Sequence, residues 1–155
     1  MIRLAKERDI PDILKLLVQV NQVHADGRPD LFKGGKTKYD AEALKRKFKE
    51  PSERIWVFTD ENERVLGYTF CVIEETPETD NTCFHRSLYI DDLCVEEQAR
   101  HRHVGSALYE NAKTEGRKLG CDRILLHVWE CNPNAKMFYE KMGLLPMYYA
   151  MEQKL

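Results

Sequence analysis

Between Leu88 and Trp129 the apolar residues change rhythm twice, and this limits the folds open to the chain more than any other feature. Leu88 to Val95 reads as an apolar strand. Val104, Leu108, Ala112 and Leu119 then mark a helix ended by Gly120, and Arg123 to Trp129 reads as a second strand. A strand, a helix and a strand in that order imply a crossover between parallel neighbours. The segment joining the first strand to the helix, VEEQARHRHVGSAL from Val95 to Leu108, carries its own signal. A loop feeding a helix N-terminus points unpaired backbone N–H groups at one spot, and the helix dipole adds positive potential there. This is a geometry that binds phosphate. Arg100, His101, Arg102 and His103 supply further donors around it.

The rest of the chain supplies the partners of this crossover. Ile2 to Ala5 reads as a short strand, and Asp9 can cap a helix on which Ile10, Ile13, Leu14 and Leu17 follow helical spacing, with Pro11 in its first turn. A loop through Asp26-Gly27-Arg28-Pro29-Asp30 follows. Thr37 with Asp40 opens a second helix carrying Tyr39, Ala43, Leu44 and Phe48. Ile55 to Thr59 and Val65 to Ile73, joined by the polar turn Asp60 to Arg64, predict a hairpin, and Leu88 to Val95 extends it to an antiparallel meander. Asn132 can cap a last helix with Pro133 at its first position and Gly143 at its end, and a final strand is predicted near Met147 to Gln153. The order is that of a single α/β (α+β) domain over residues 1–155.

Composition excludes several functions. With 24 Lys and Arg against 26 Asp and Glu, the net charge of -2 gives no global attraction to nucleic acid or anionic membrane, so neither is an expected partner. No run approaches the roughly 18 apolar residues of a membrane span, and the N-terminus has no long apolar region, so a cytoplasmic location is expected. Five cysteines, at 71, 83, 94, 121 and 131, form no C-x-x-C pair and read as reduced core thiols. No spacing suits a zinc site, and no metal is expected.

The basic loop, together with NPNAKMFYEKMGL from Asn132 to Leu144, resembles acetyltransferases of the GNAT superfamily, and the resemblance extends over nearly the whole chain. It implies the GNAT fold, a mixed central sheet of about six to seven strands flanked by about four helices, in which the strands on either side of the loop helix diverge around acetyl-CoA. Two registers of the family's Q/R-x-x-G-x-G/A signature fit. Arg102-x-x-Gly105-x-Ala107 matches literally. Arg100-x-x-His103-x-Gly105 departs at its first glycine but keeps the family's distance from Val95 and places Val104 and Leu108 where the helix needs apolar residues; it is the preferred one. The resemblance further implies that backbone groups of Leu93, Cys94 and Val95 bond the pantetheine amides, that those of His101, Arg102, His103, Val104, Gly105 and Ser106 cradle the pyrophosphate, and that Asn132 contacts the cofactor.

Acetyl transfer to an amine needs a neutral nucleophile, whereas an alkylamine near pKa ~10.4 is protonated at neutral pH. Asp91, in YIDDLCV, matches the glutamate of the YLEDFFV-like strand in polyamine acetyltransferases and is the candidate base, acting directly or through a water. Strand alternation predicts that Asp91 and Asp92 point to opposite faces. Tyr139, seven residues after Asn132 with Ala135 between them, matches the family's general-acid tyrosine, a donor to the leaving thiolate. On the acceptor side, His24, Arg28, Asp30 and Phe32 fall in the segment implied to set specificity, with Glu130 as a second base or cation anchor. The acidic residues Glu74, Glu75, Glu78 and Asp80, with Asp91 and Asp92, are expected to create a negative field near the acceptor mouth, which favours a cationic acceptor.

The expected function is transfer of acetyl from acetyl-CoA to a primary amine of a small molecule, such as a polyamine, an aminoglycoside or an amino-acid-like acceptor. An acetyltransferase of protein N-termini or lysines is the alternative among enzymes, and a non-catalytic acyl-CoA sensor is the alternative of another class. A homodimer is expected by analogy with the family.

Overall fold

A computed structural model describes the chain from Met1 to Leu155. The elements run β1 (Ile2–Leu4), α1 (Ile10–Gly27), α2 (Ala41–Lys47), β2 (Glu53–Thr59), β3 (Val65–Thr76), β4 (His85–Val95), α3 (Val104–Lys118), β5 (Arg123–Leu126) and α4 (Pro133–Lys141). One sheet of order β1-β2-β3-β4-β5 is antiparallel from β1 to β4, and the β4–β5 pair is parallel, as the crossover requires.

Both faces of the sheet are covered. Along β2, Ile55 and Val57 enter one core with Ile13 and Leu17 of α1 and Leu44 of α2, while Trp56 turns to the other with Leu88, Ile90 and Leu108. Alternation thus supplies two cores from one strand. Phe138 and Met142 of α4 pack on the α3 side. Gly67 fixes how closely α3 lies on the sheet, because a Cβ there would stand 2.8 Å from the Cys94 carbonyl oxygen and 3.2 Å from Val104 and Leu108.

Several sequence expectations change. The sheet has five strands rather than six to seven, and no strand forms between Met147 and Gln153. There Tyr149 and Met151 are exposed, and the tail is tied instead to the loop after α1 by the Arg28–Glu152 and Lys154–Asp30 ion pairs. β5 stops at Leu126, short of Trp129, and α1 continues through Asp26 to Gly27. Gly27 ends that helix as a packing glycine, since a Cβ on it would lie 2.7 Å from the Cys131 sulfur. Asp9 does not cap α1 with its side chain. Buried, it takes both guanidinium nitrogens of Arg3, at 2.7 and 2.9 Å, and the Lys6 amide at 2.7 Å. No helix is long and apolar enough to cross a membrane.

Candidate active site

β4 and β5 pair only from Ser87 opposite Arg123 to Ile90 opposite Leu126. β5 ends there, so residues 91–95 of β4 have no strand partner on the β5 side. At the same place β4 slips against β3. Phe70 lies opposite Asp92 and Cys71 opposite Ile90, which leaves Asp91 as the extra residue of a bulge.

The bulge changes which way the two aspartates point. Ile90, Leu93 and Val95 pack on the α3 side, and Cys94 on the α1 side. Asp91 meets Tyr39 and Asp92 meets Tyr68, both aromatics of the α1 side. The expected opposition of Asp91 and Asp92 is therefore corrected: both carboxylates share one face. A signal for this was present, since the apolar positions Leu88 and Ile90 are even and Leu93 and Val95 odd, a phase slip at the two aspartates.

Asp91 is held from two directions. Lys38 Nζ lies 2.5 Å from its Oδ1, and the Tyr39 hydroxyl donates to Oδ2 at 2.7 Å. Tyr39 precedes α2 instead of riding on it and stacks on Phe70 at 5.8 Å between ring centres. Asp92 accepts from the Tyr68 hydroxyl at 3.0 Å. Burial pushes the Asp92 carboxyl up to about 6, against the lowering effect of the Tyr68 bond and the Lys38 charge. Lys38, Tyr39 and Tyr68 are absent from the sequence-derived site because they reach it through tertiary packing, and Asp92 was set on the other face by strict alternation, which the bulge breaks.

Tyr139 projects from α4, its ring 5.2 Å from that of Phe138. Phe138 turns toward α3, where its ring would be 3.5 Å from a Cβ on Gly105. Burial first, then the negative charge of Asp92, raise the Tyr139 phenol above its ordinary pKa, so it stays protonated at neutral pH. Asn132 caps α4, its Oδ1 accepting from the Ala135 amide at 3.2 Å.

The loop between β4 and α3 turns through two left-handed residues, His101 at φ 62° and His103 at φ 61°. None of the amides from His101 to Ser106 donates to a backbone carbonyl; the ladder of α3 starts with Ala107 donating to His103 at 2.9 Å. Arg100, His101, Arg102 and His103 are exposed around this arc. Val104 is buried under it, and Gly105 has a Cβ position in ordinary contact only, 3.5 Å from Phe138 and Val95. Gln19 of α1, also unforeseen, ties the strand end to the loop: its Nε2 donates to the Val95 carbonyl at 2.9 Å and its Oε1 accepts from the Glu97 amide at 3.3 Å. The Cys94 side chain faces α1, and burial pushes its thiol up to about 12.

The acceptor candidates divide. His24 and Phe32 meet, with ring centres 5.1 Å apart, and both approach Trp129, Phe32 edge-on at 5.1 Å. Arg28 and Asp30 instead bind each other through two 2.9 Å bonds. Glu130 is exposed beside Lys136 at 3.3 Å. Glu74 and Glu75 pair with Ser87 and Arg86 toward the β3–β4 turn, roughly 15 Å along the strand from Asp91, so at the bulge the negative charge comes from Asp91 and Asp92 rather than from these two.

Residues 2–144 match the acetyltransferase (GNAT) family, and the chain belongs to it. Its fold is similar to that of the BH1408 protein from Bacillus halodurans, at a TM-score of 0.96 and 28% identity over 100% of this chain and 99% of that one. It is also similar to an aminoglycoside N-acetyltransferase solved in complex with CoA, at a TM-score of 0.73 and 12% identity over 100% and 98% of the chains. A stretch of 57 residues is 39% identical to an uncharacterized N-acetyltransferase of Lactobacillus delbrueckii subsp. lactis, covering 37% of this chain and 33% of that relative.

Proposed function

We propose that this chain is an N-acetyltransferase that moves acetyl from acetyl-CoA to a primary amine of a small molecule by direct attack in a ternary complex. One observation carries the reading: the arc of unbonded amides from His101 to Ser106 opens beside the unpaired stretch of β4. Orphaned backbone donors at a helix N-terminus suit a pyrophosphate, and a free strand edge suits the amides of a pantetheine arm. The CoA found with the aminoglycoside enzyme supports the same choice of cosubstrate. Leu93, Cys94 and Val95 would hold the arm, Arg100, Arg102 and the loop amides the phosphates, and Asn132 the region beside α4.

Bound acetyl-CoA supplies the thioester carbon. The new C–N bond forms as the C–S bond breaks, Asp91 accepts the amine's proton directly or through a water, and Tyr139 donates a proton to the departing sulfur. A specific observation favours a second assignment, in which Asp91 anchors the ammonium and Asp92 takes the proton. Asp92 titrates near 6, closer to the working range of a base than a free carboxylate, and its charge reaches Tyr139. Asp91→Asn and Asp92→Asn separate the two: the variant that removes the base collapses kcat, and the variant that removes an anchor mainly raises the acceptor KM. We expect the enzyme to act in the cytoplasm as a homodimer, which sedimentation and fractionation would decide.

The test is release of free CoA thiol from acetyl-CoA across polyamines, aminoglycosides, amino acids and lysine peptides. A selective small-amine hit supports the proposal, and activity on peptides alone moves it to protein acetylation. Saturable acetyl-CoA binding without transfer to any amine leaves a sensor, and absence of binding overturns the reading.

A further inference from the structure

The Lys38–Asp91 pair defines what an acceptor must carry, on the reading that Asp91 receives the acceptor amine. Asp91 is nearly enclosed, its side chain 14% exposed, while Lys38 is 51% exposed and can swing away. An ammonium reaching Asp91 must displace Lys38 or share the carboxylate with it. Either way it meets a positive charge at close range, which disfavours an acceptor that is only cationic.

A second feature lies on the same side. The loop leading to Lys38 is tied to α1 within a turn of His24, since Asn21 Nδ2 donates to the Lys33 carbonyl at 2.7 Å and the Gly35 amide donates to Gln22 Oε1 at 3.2 Å, and this brings Lys38 to the side of the His24, Phe32 and Trp129 rings; after burial, the Lys38 charge lowers the pKa of His24. Trp129 and Phe32 come from the segment after β5 and the loop after α1, so the cluster spans two separate parts of the chain. Arg28 and Asp30 are occupied by each other and by the tail, and Lys47, over the Tyr39 ring, is paired with Glu53, so the ion pair that Asp91 can exchange is the one with Lys38.

We propose that the acceptor is an amino-acid-like zwitterion with an apolar or aromatic side chain. Its amine takes the place of Lys38 on Asp91, its carboxylate receives the displaced Lys38, and its side chain lies against Phe32 and Trp129. Binding then exchanges one ion pair for two and leaves no charge unpartnered. A polyamine offers nothing for Lys38 and gains none of this.

The experiment compares kcat and KM for the twenty amino acids, their carboxamides and spermidine, using wild type, Lys38→Arg and Lys38→Met. Wild type should prefer an apolar amino acid to its amide by about 10- to 100-fold in kcat/KM. Lys38→Arg should keep that preference. Lys38→Met should raise KM for the acid and lower it for the amide, opposite changes that a folding defect cannot produce. Equal use of acid and amide by wild type, preference for spermidine, or a preference that survives Lys38→Met overturns the proposal while leaving the acetyltransferase intact. Acetylation of no amine, in these or in peptides, removes the transferase reading itself and this one with it.

Discussion

Replacing His103 with glycine should relieve a backbone that histidine adopts at some cost. His103 sits at φ 61°, ψ 10°, in the left-handed region, whereas Gly105 lies in the first turn of α3 with room for a Cβ. Left-handed geometry costs an L residue about 1–2 kcal/mol, less for histidine than for branched side chains. The flexible unfolded state of glycine offsets about 0.5–1 kcal/mol of the relief. His103→Gly should therefore gain roughly 0.5–1 kcal/mol net, a rise of about 1–4 °C in Tm for a chain of this size. Gly105→Ala should melt at or above wild type too, because alanine favours helix by up to about 1 kcal/mol. Differential scanning calorimetry gives both values, and titration with acetyl-CoA gives the binding. Main-chain recognition predicts that each variant binds within about threefold of wild type, under 1 kcal/mol. A lower Tm for His103→Gly, with a tenfold or greater loss of affinity in Gly105→Ala, would refute the Arg100-x-x-His103-x-Gly105 register and favour the one beginning at Arg102.

Three further perturbations test the packing and the chemistry. Gly67→Ala forces a Cβ onto the Cys94 carbonyl inside the β3–β4 ladder and should cost about 1–3 kcal/mol, read as a lower Tm. Asp9→Asn breaks a buried pair and should cost about 3 kcal/mol at neutral pH. Burial alone would raise the Asp9 pKa, but the Arg3 and Lys6 bonds hold it below its ordinary value; the stability it confers is present above the unfolded pKa and disappears as pH falls through the folded one, so the gap between wild type and variant should start to close below about pH 4 and vanish only at lower pH, once the folded carboxyl is protonated. Tyr139→Phe should lower turnover by about 10- to 10⁴-fold while the KM for acetyl-CoA stays near wild type, and unchanged turnover would remove Tyr139 from the mechanism.

The crossover was legible because its apolar residues follow one period at a time, and Gly120 and Asn132 mark boundaries by local chemistry that tertiary contacts did not override. The bulge was harder to read. Its trace was a shift of phase across Asp91 and Asp92, and strict alternation hides such a shift. Lys38 and Tyr39 gave no sequence signal at all, since their roles come from a loop folding back 53 and 52 residues away from Asp91. Asp26-Gly27 looked like a turn, yet close packing on Cys131 makes glycine necessary there in a helix. The last strand failed for a related reason: the apolar run from Met147 to Met151 becomes a strand only where a ladder partner is available, and the tail is engaged elsewhere by Arg28 and Asp30.

Amide hydrogen exchange with and without CoA tests the central claim most directly. The amides from His101 to Ser106 donate to no backbone carbonyl, and those of β4 beyond Ile90 have no neighbour on the β5 side, so residues 91–106 contain ready acceptors of protection. The account predicts that CoA slows exchange in the peptides covering residues 91–106 more than anywhere else in the chain. Saturable binding with protection confined to other segments, or no protection at saturating CoA, would contradict it.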